Sequence, residues 1–279
     1  MILVIKLGGK VVEQEESRKE IAGQIIEIHK RGHRLVVVHG GGKQLDKMSH
    51  RLGIPIVQHR GRRVTDKTTL ELAIMVFSLL NRQLVATLIG AGVPALGVSA
   101  FEGKVTLCQK RPTVSVRAFD KVGGEHVKRV DFGLVGDILD TDPAFLQRMW
   151  KENFIPVISC LGADSTGQIL NINADTLAAE IAIGLQATQL FSVSDVPGIY
   201  LNMGKEKKWI SKVTDKEVET HLHEGRFTGG MVPKVQAALK VLASGVGSVR
   251  ILSGLQEGAL LRALDGKAGT MIHREGLAD

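Results

Sequence analysis

RLVVVHGGG, residues 34–42, joins a short apolar run to three consecutive glycines. The run does not alternate apolar with polar residues, so it reads as a strand buried on both faces, as in a parallel sheet. The glycines end it and turn successive backbone N–H groups toward one point, which makes an anion-binding concavity. A short helical pattern follows near 43–52. The first residues repeat the arrangement. "ILVIKL" (2–7) is an apolar strand carrying Lys6 near its end, Gly8 and Gly9 follow, and a helical pattern covers 16–31. Two strand–glycine–helix units in succession predict a βαβ alternation.

The alternation continues outward. A hairpin-like basic stretch at 56–64 precedes a long helix from about 66 to 90, with Thr65 or Asp66 as its cap. "VPALGVSA" and short strands come next, and Gly123-Gly124 in "KVGGEHVKRV" (121–130) marks a hairpin. A helix near 142–152 leads into the strand "FIPVIS" (154–159). After the turn-rich connector "GADSTGQ" come a helix at 174–185, the strand "TQLFSVSD" (188–195), helices near 214–224 and 231–244, the strand "SVRIL", a helix near 256–264 and the strand "GTMIH". The predicted fold class is α/β: a three-layer α/β/α sandwich around a central, mostly parallel sheet. The connector near 160–168 is the candidate boundary between an N-terminal lobe, about 1–160, and a C-terminal lobe, about 161–279. Ligands in such sheets bind beyond the carboxyl ends of strands.

Composition narrows the function. The 279 residues, 44% hydrophobic, are enough for a substantial core. No apolar run reaches the length needed to span a bilayer, and "MILVIKLGGK" reads as a first strand rather than a signal peptide. Cys108 and Cys160 lack metal-ligand spacing, and two cysteines make no disulfide framework. These features lead us to expect a reducing, cytoplasmic setting. The net charge of +7 sits wholly in residues 1–63, which hold 13 Lys/Arg against 6 Asp/Glu; the rest of the chain holds 23 of each. Aromatics are only 4%, too few for base-stacking platforms, and no groove-binding motif occurs. Small anionic ligands fit the charge better than nucleic acid or membrane.

Several stretches carry chemistry. In "GRFTGGMVPKVQAALKVLASG" (225–245), Val235, Ala238, Leu239 and Leu242 fall on one helix face, and Pro233 sits where the first turn tolerates it. Gly229 and Gly230 permit close approach of a ligand to the backbone, with Lys234 adding a point charge one turn in, which makes a phosphate site; or the stretch is a flexible loop feeding an ordinary surface helix. "NINAD" (171–175) opens a helix: Asn173 or Asp175 serves as an N-cap, or Asn171 binds a ligand while Asp175 holds ammonium groups. In "RRVTD" (62–66), Arg63 suits bidentate carboxylate recognition or lies in a solvated turn. Asp195 opens "DVPGIY" after a strand. His39 reads as a satisfied core residue. Neither glycine turn fits the Walker A or G-x-G-x-x-G spacing, and no G-x-S-x-G, HRD, DFG or HExxH occurs.

In this order and spacing, Lys6-x-Gly8-Gly9, His39-Gly40-Gly41-Gly42, Arg63-Val64-Thr65, Asn171-x-Asn173-Ala174-Asp175, Ser194-Asp195-Val196-x-Gly198 and Gly230-Met231-x-Pro233-Lys234 resemble the amino-acid kinase family over nearly the whole chain. Within it the motifs are most similar to the members that phosphorylate the side-chain carboxylate of N-acetyl-L-glutamate in arginine biosynthesis. The resemblance implies ATP as phosphoryl donor, with Mg2+ carried by ATP and no protein metal site. It implies Lys6 and Lys234 on either side of the phosphoryl group, oriented by Asp175. Gly41 and Gly42 would touch the acceptor, with Arg63 and Asn171 on its α-carboxylate. Gly8, Gly9, Asp195, Gly198, Tyr200, Gly229 and Gly230 would contact the nucleotide. The acyl amino acid would bind in the N-terminal lobe and ATP in the C-terminal lobe. The chain starts at its first strand, without the helix that precedes it in arginine-inhibited hexamers, so a homodimer across the helix near 66–90 is expected. Lys43 departs from the pattern, where a proline or small polar residue is usual; it either adds charge to the site or is exposed. Two rival readings are a kinase acting on aminoadipate or glutamate held by an acidic carrier protein, and a catalytically silent nucleotide- or metabolite-binding regulator.

Overall fold

Strands apolar on both faces need cover on both sides, and the computed structural model meets that need with helices on either side of one sheet. The structure describes residues 1–59, 62–119, 125–203, 206–227 and 231–276. Eight strands form the sheet, in the order Lys212–Thr214, Thr270–His273, Ser248–Ser253, Gln189–Ser194, Ile2–Leu7, Arg34–His39, Ile155–Ser159, Ala95–Ser99. Every neighbouring pair is parallel except Thr270–His273 with Ser248–Ser253. The predicted architecture is therefore the observed one.

Ile2–Leu7 is central and organises the site. Strands from residues 34–159 lie on one side of it, and strands from residues 189–273 on the other. Leu7 is level with His39 on one neighbour and with Val193 on the other. The carboxyl ends of three adjacent strands thus coincide, at the point where the strand order reverses, which is where open α/β sheets bind ligands. The strands are pinned by complete burial: Leu3, Val4, Ile5, Val36, Val37 and Val38 have no exposed surface. Helix Glu15–Lys30 covers one face with Ile21, Ile25 and Ile28, spaced for a single stripe.

Helix Lys67–Gly90 starts on Asp66, whose carboxylate accepts a 2.7 Å hydrogen bond from the Thr69 N–H. Its composition corrects the sequence reading on membranes. Glu71, Asn81, Arg82 and Gln83 interrupt any continuous apolar run, yet over an 18-residue window the helix is long and apolar enough to cross a bilayer. In the fold its inner stripe, including Ala73, Phe77, Leu80, Leu84 and Leu88, is buried in the core.

Smaller elements went unread in the sequence. A five-residue helix, Gly9–Glu13, follows the first strand, and Ile199–Met203 pairs antiparallel with Glu206–Ile210. The 160–168 connector is a tight hairpin. Leu161–Ala163 pairs with Ile169–Asn171, and the Asp164 carboxylate accepts from the N–H groups of Thr166 and Gln168. Val114–Phe119 and Glu125–Val130 pair antiparallel, as a hairpin requires, while its Gly123-Gly124 turn lies outside the described residues.

Candidate active site

Lys6 is nearly buried at the end of the central strand, and its ammonium lies 2.8 Å from the Asp175 carboxylate. Asp175 reaches it from the first turn of helix Ala174–Gly184. The cap of that helix is Asn173, which accepts from the Thr176 N–H at 3.0 Å. Asn173 thus holds the backbone as the N-cap of "NINAD", and the Asp175 carboxylate faces the lysine. Lys234, on helix Met231–Ala243, lines the same narrow cleft as Lys6, Asp175 and Ser192. Burial works to neutralise the Asp175 carboxyl, but Lys6 and Lys234 hold it below the usual carboxylate range. Burial pushes the Lys234 ammonium down and Lys6 adds to this, against the pull of Asp175 and Asp195. Two cations around one anion leave a net positive centre.

A cavity of about 370 Å³ opens above this centre and is lined by Lys6, both glycine turns, Arg63, Asn171 and Asp175. Gly8 donates its N–H to the Val193 carbonyl at 2.9 Å, locking the first turn to the adjacent strand. Gly41 precedes helix Gly42–Arg51, and a Cβ there would lie 2.6 Å from the Phe77 ring, so no larger residue fits. A Cβ on Gly42 would meet nothing within 4 Å. The N-terminus of this ten-residue helix therefore faces open space, with its dipole favouring anions. Arg63 pairs with Asp46 and reaches toward the Gly42 carbonyl, and Asn171 donates to the Thr65 hydroxyl at 3.1 Å.

Asp195 is tied to the cavity through Lys43, which contacts it at 3.5 Å, and Lys10 contacts it at 2.7 Å. The Lys10 hydrogen bond is the main reason its carboxyl is lowered to about 2. Lys43 thus lines the cavity and is half-exposed at once. Gly198 is buried, and a Cβ on it would come within 2.6 Å of the Thr270 hydroxyl and 2.7 Å of the Trp209 indole nitrogen. Tyr200 is exposed. Gly229 and Gly230 lie outside the described residues. His39 is a satisfied core residue: its Nδ1 faces the Gly40 carbonyl at 3.0 Å, and its Nε2 faces the Asn81 amide at 3.1 Å.

Asp46, Gln58, Arg62 and Arg111 also line the cavity and were not singled out in the sequence. Arg62 carried a signal as the neighbour of Arg63. Arg111 carried none. It arrives because its N–H bonds the Val135 carbonyl, and Val135 bridges to Asn171.

Glycine turns at coincident strand ends, with two lysines bracketing a carboxylate, define an α/β protein built to hold a phosphorylated anion. The chain belongs to the amino acid kinase family, whose sequence profile matches residues 1–253. It is 37% identical to the acetylglutamate kinase of Myxococcus xanthus, over 98% of this chain and 88% of that one. It is 38% identical to the acetylglutamate kinase of Sorangium cellulosum, over 97% and 94%. Among solved structures it resembles N-acetylglutamate synthase from Neisseria gonorrhoeae in complex with coenzyme A and N-acetyl-glutamate, with a TM-score of 0.83 at 24% identity. That match covers 99% of this chain and 60% of the synthase, and it bears on the fold alone.

Proposed function

We propose that this chain is an acetylglutamate kinase: it transfers the γ-phosphoryl group of ATP to the side-chain carboxylate of N-acetyl-L-glutamate, a step of arginine biosynthesis. The observation that carries this reading is the Lys6–Asp175–Lys234 centre beneath a cavity with Arg63 and Asn171 on its wall.

The chemistry asks little of a base. A glutamate side chain has a reference pKa near 4.3, so the nucleophile is already ionised at neutral pH. The difficulty lies in bringing one anion against another. Positioning and fixed positive charge then carry catalysis. Lys6 and Lys234 neutralise the transferring group from two sides, and Asp175 holds them against their mutual repulsion. The open N–H groups at Gly41 and Gly42 cradle the acceptor carboxylate, while Gly8, its own N–H held by the Val193 carbonyl, and Gly9 let the phosphate approach the backbone closely. Arg63 and Asn171 fix the α-carboxylate and so aim the nucleophile.

Magnesium bound to the nucleotide phosphates would supply further charge neutralisation, and the ionised, half-exposed Asp195 fits a group that arrives as a metal–phosphate complex. Among the described residues no three His, Cys, Asp or Glu side chains gather into a metal cage. The two halves of the sheet support an acceptor lobe of about 1–160 and a nucleotide lobe of about 161–279. The proposal includes a homodimer and a cytoplasmic setting.

The test is ADP release from ATP and magnesium with N-acetyl-L-glutamate, glutamate, aminoadipate, carbamate or uridylate, with hydroxylamine present to trap acyl phosphate. Strong activity confined to N-acetyl-L-glutamate supports the assignment. Silence with every free acceptor transfers it to carrier-linked aminoadipate or glutamate. ATP binding without any turnover transfers it to a regulator.

A further inference from the structure

The proposed acceptor has three polar ends, and the groups named so far engage two. Its reacting carboxylate meets the glycine turns, and its α-carboxylate meets Arg63 and Asn171. The N-acyl group remains. Beyond Asn171 the cavity wall continues strand by strand. Asn171 bridges to Val135, and the Val135 carbonyl accepts from the Arg111 N–H at 2.8 Å. Arg111 therefore follows Asn171 along the same wall, one strand spacing past Val135.

Its side chain is held as an element of a binding site is held. Nε donates to both Asp137 carboxylate oxygens, at 3.0 and 3.2 Å, and Nη2 donates to Oδ1 at 2.5 Å. The guanidinium stacks over the buried Phe132 ring, 5.6 Å from its centroid. Only 13% of the side chain is exposed, and it lines the cavity. Asp137 and Phe132 fix the plane of the fork and leave Nη1 without a hydrogen bond among the described residues. A pre-oriented cationic donor with one unused nitrogen matches a carbonyl oxygen, because the cost of ordering it has already been met.

We infer that Arg111 is a specificity-determining residue that contacts the acceptor, its Nη1 donating to the N-acyl oxygen of an N-acylated amino acid while Asp137 positions the guanidinium. The inference rests on the proposed acceptor class. It explains how the site selects an acylated amino acid over the free one. Free glutamate lacks the oxygen and would leave Nη1 facing its ammonium group.

The experiment compares wild type, Arg111→Gln, Arg111→Lys and Asp137→Asn on N-acetyl-L-glutamate and on L-glutamate, with the KM for ATP and the melting temperature recorded for each. Loss of a charged hydrogen bond is worth about tenfold or more. Arg111→Gln is expected to raise the KM for N-acetyl-L-glutamate by about that factor. The KM for ATP stays unchanged, and the preference for N-acetyl-L-glutamate over glutamate narrows. Asp137→Asn gives a smaller change in the same direction. Arg111→Lys keeps a cation beside Asp137 and serves as the readout if the glutamine variant is unstable. A merely structural role would lower the melting temperature and affect both substrates alike. Wild-type activity on N-acetyl-L-glutamate with unaltered KM and preference in a folded Arg111 variant overturns this inference alone. A wild-type enzyme that turns over no N-acylated acceptor overturns the functional reading and this inference with it.

Discussion

At the scale of single residues, the site is a small cluster of charges whose balance is incomplete until an anion arrives. Asp175 compensates Lys6 directly at 2.8 Å and Lys234 at longer range, which leaves one positive charge partly desolvated. An incoming phosphoryl group completes the balance most fully when its own charge is spread in the transition state. Lys6→Ala and Lys234→Ala are each expected to lower kcat by about a hundredfold or more while the far-ultraviolet circular dichroism is unchanged. Near-normal turnover in either variant would remove that lysine from the mechanism. His39 illustrates the opposite use of burial. It is fully enclosed, and burial lowers its pKa to about 4, against the hydrogen bond from its own ring to Gly40. An unfolded histidine binds a proton near 6.5, so between pH 6.5 and about 4 the unfolded state holds more protons than the native one. Stability from this residue is complete above pH 6.5 and falls as pH drops toward 4, by about 3 kcal/mol in all. Urea unfolding at pH 7, 5.5 and 4.5 should show that loss in wild type and a shallower slope in His39→Asn. Parallel slopes would show that the imidazole does not contribute it.

At the scale of elements, two of the capped helices have separable duties. Asp66 caps Lys67–Gly90, which packs the core, whereas Asn173 caps Ala174–Gly184, which carries Asp175. Either cap replaced by alanine costs about 1 kcal/mol. Asp66→Ala should lower the denaturation midpoint and leave kcat unchanged. Asn173→Ala should lower both, because the first turn that frays is the one holding the Asp175 carboxylate against Lys6; equal kcat in the two variants would contradict that division. The same elements show what can be read from a linear chain. Strands such as 34–39 were legible because burial on both faces writes an unbroken apolar run, and the lysine–glycine and triple-glycine turns marked their carboxyl ends. Helix Glu15–Lys30 was legible from its isoleucine spacing. The pair Ile199–Met203 and Glu206–Ile210 was not, since it forms a two-stranded ribbon apart from the main sheet and its sequence holds no long apolar run. Arg111 was invisible for another reason: no local motif surrounds it, and only the pairing of distant strands brings it to the wall beside Asn171.

At the scale of the whole molecule, helix Lys67–Gly90 is apolar on two faces, and the fold covers one. Its outer stripe includes Met75, Leu79 and Ile89, which are 61%, 55% and 54% exposed, and Leu96 at the adjacent sheet edge is 39% exposed. A helix that is hydrophobic all round is normally enclosed. Separately placed exposed apolar residues need no explanation, but a stripe continuous with a sheet edge marks a contact surface. A second copy of the same chain is the simplest cover, because a two-fold axis sets the stripe against itself and matches apolar surface with apolar surface. Light scattering on the purified protein is therefore expected to give twice the 30.1 kDa chain mass. Leu79→Glu places a carboxylate within the stripe, so a two-fold dimer formed through it would have to bury two like charges. That variant should elute as a monomer. Its site lies at the carboxyl ends of the strands and uses no residue of the outer stripe, so it should still release ADP. A wild-type chain that remains monomeric at micromolar concentration would show that the stripe is not a self-association surface.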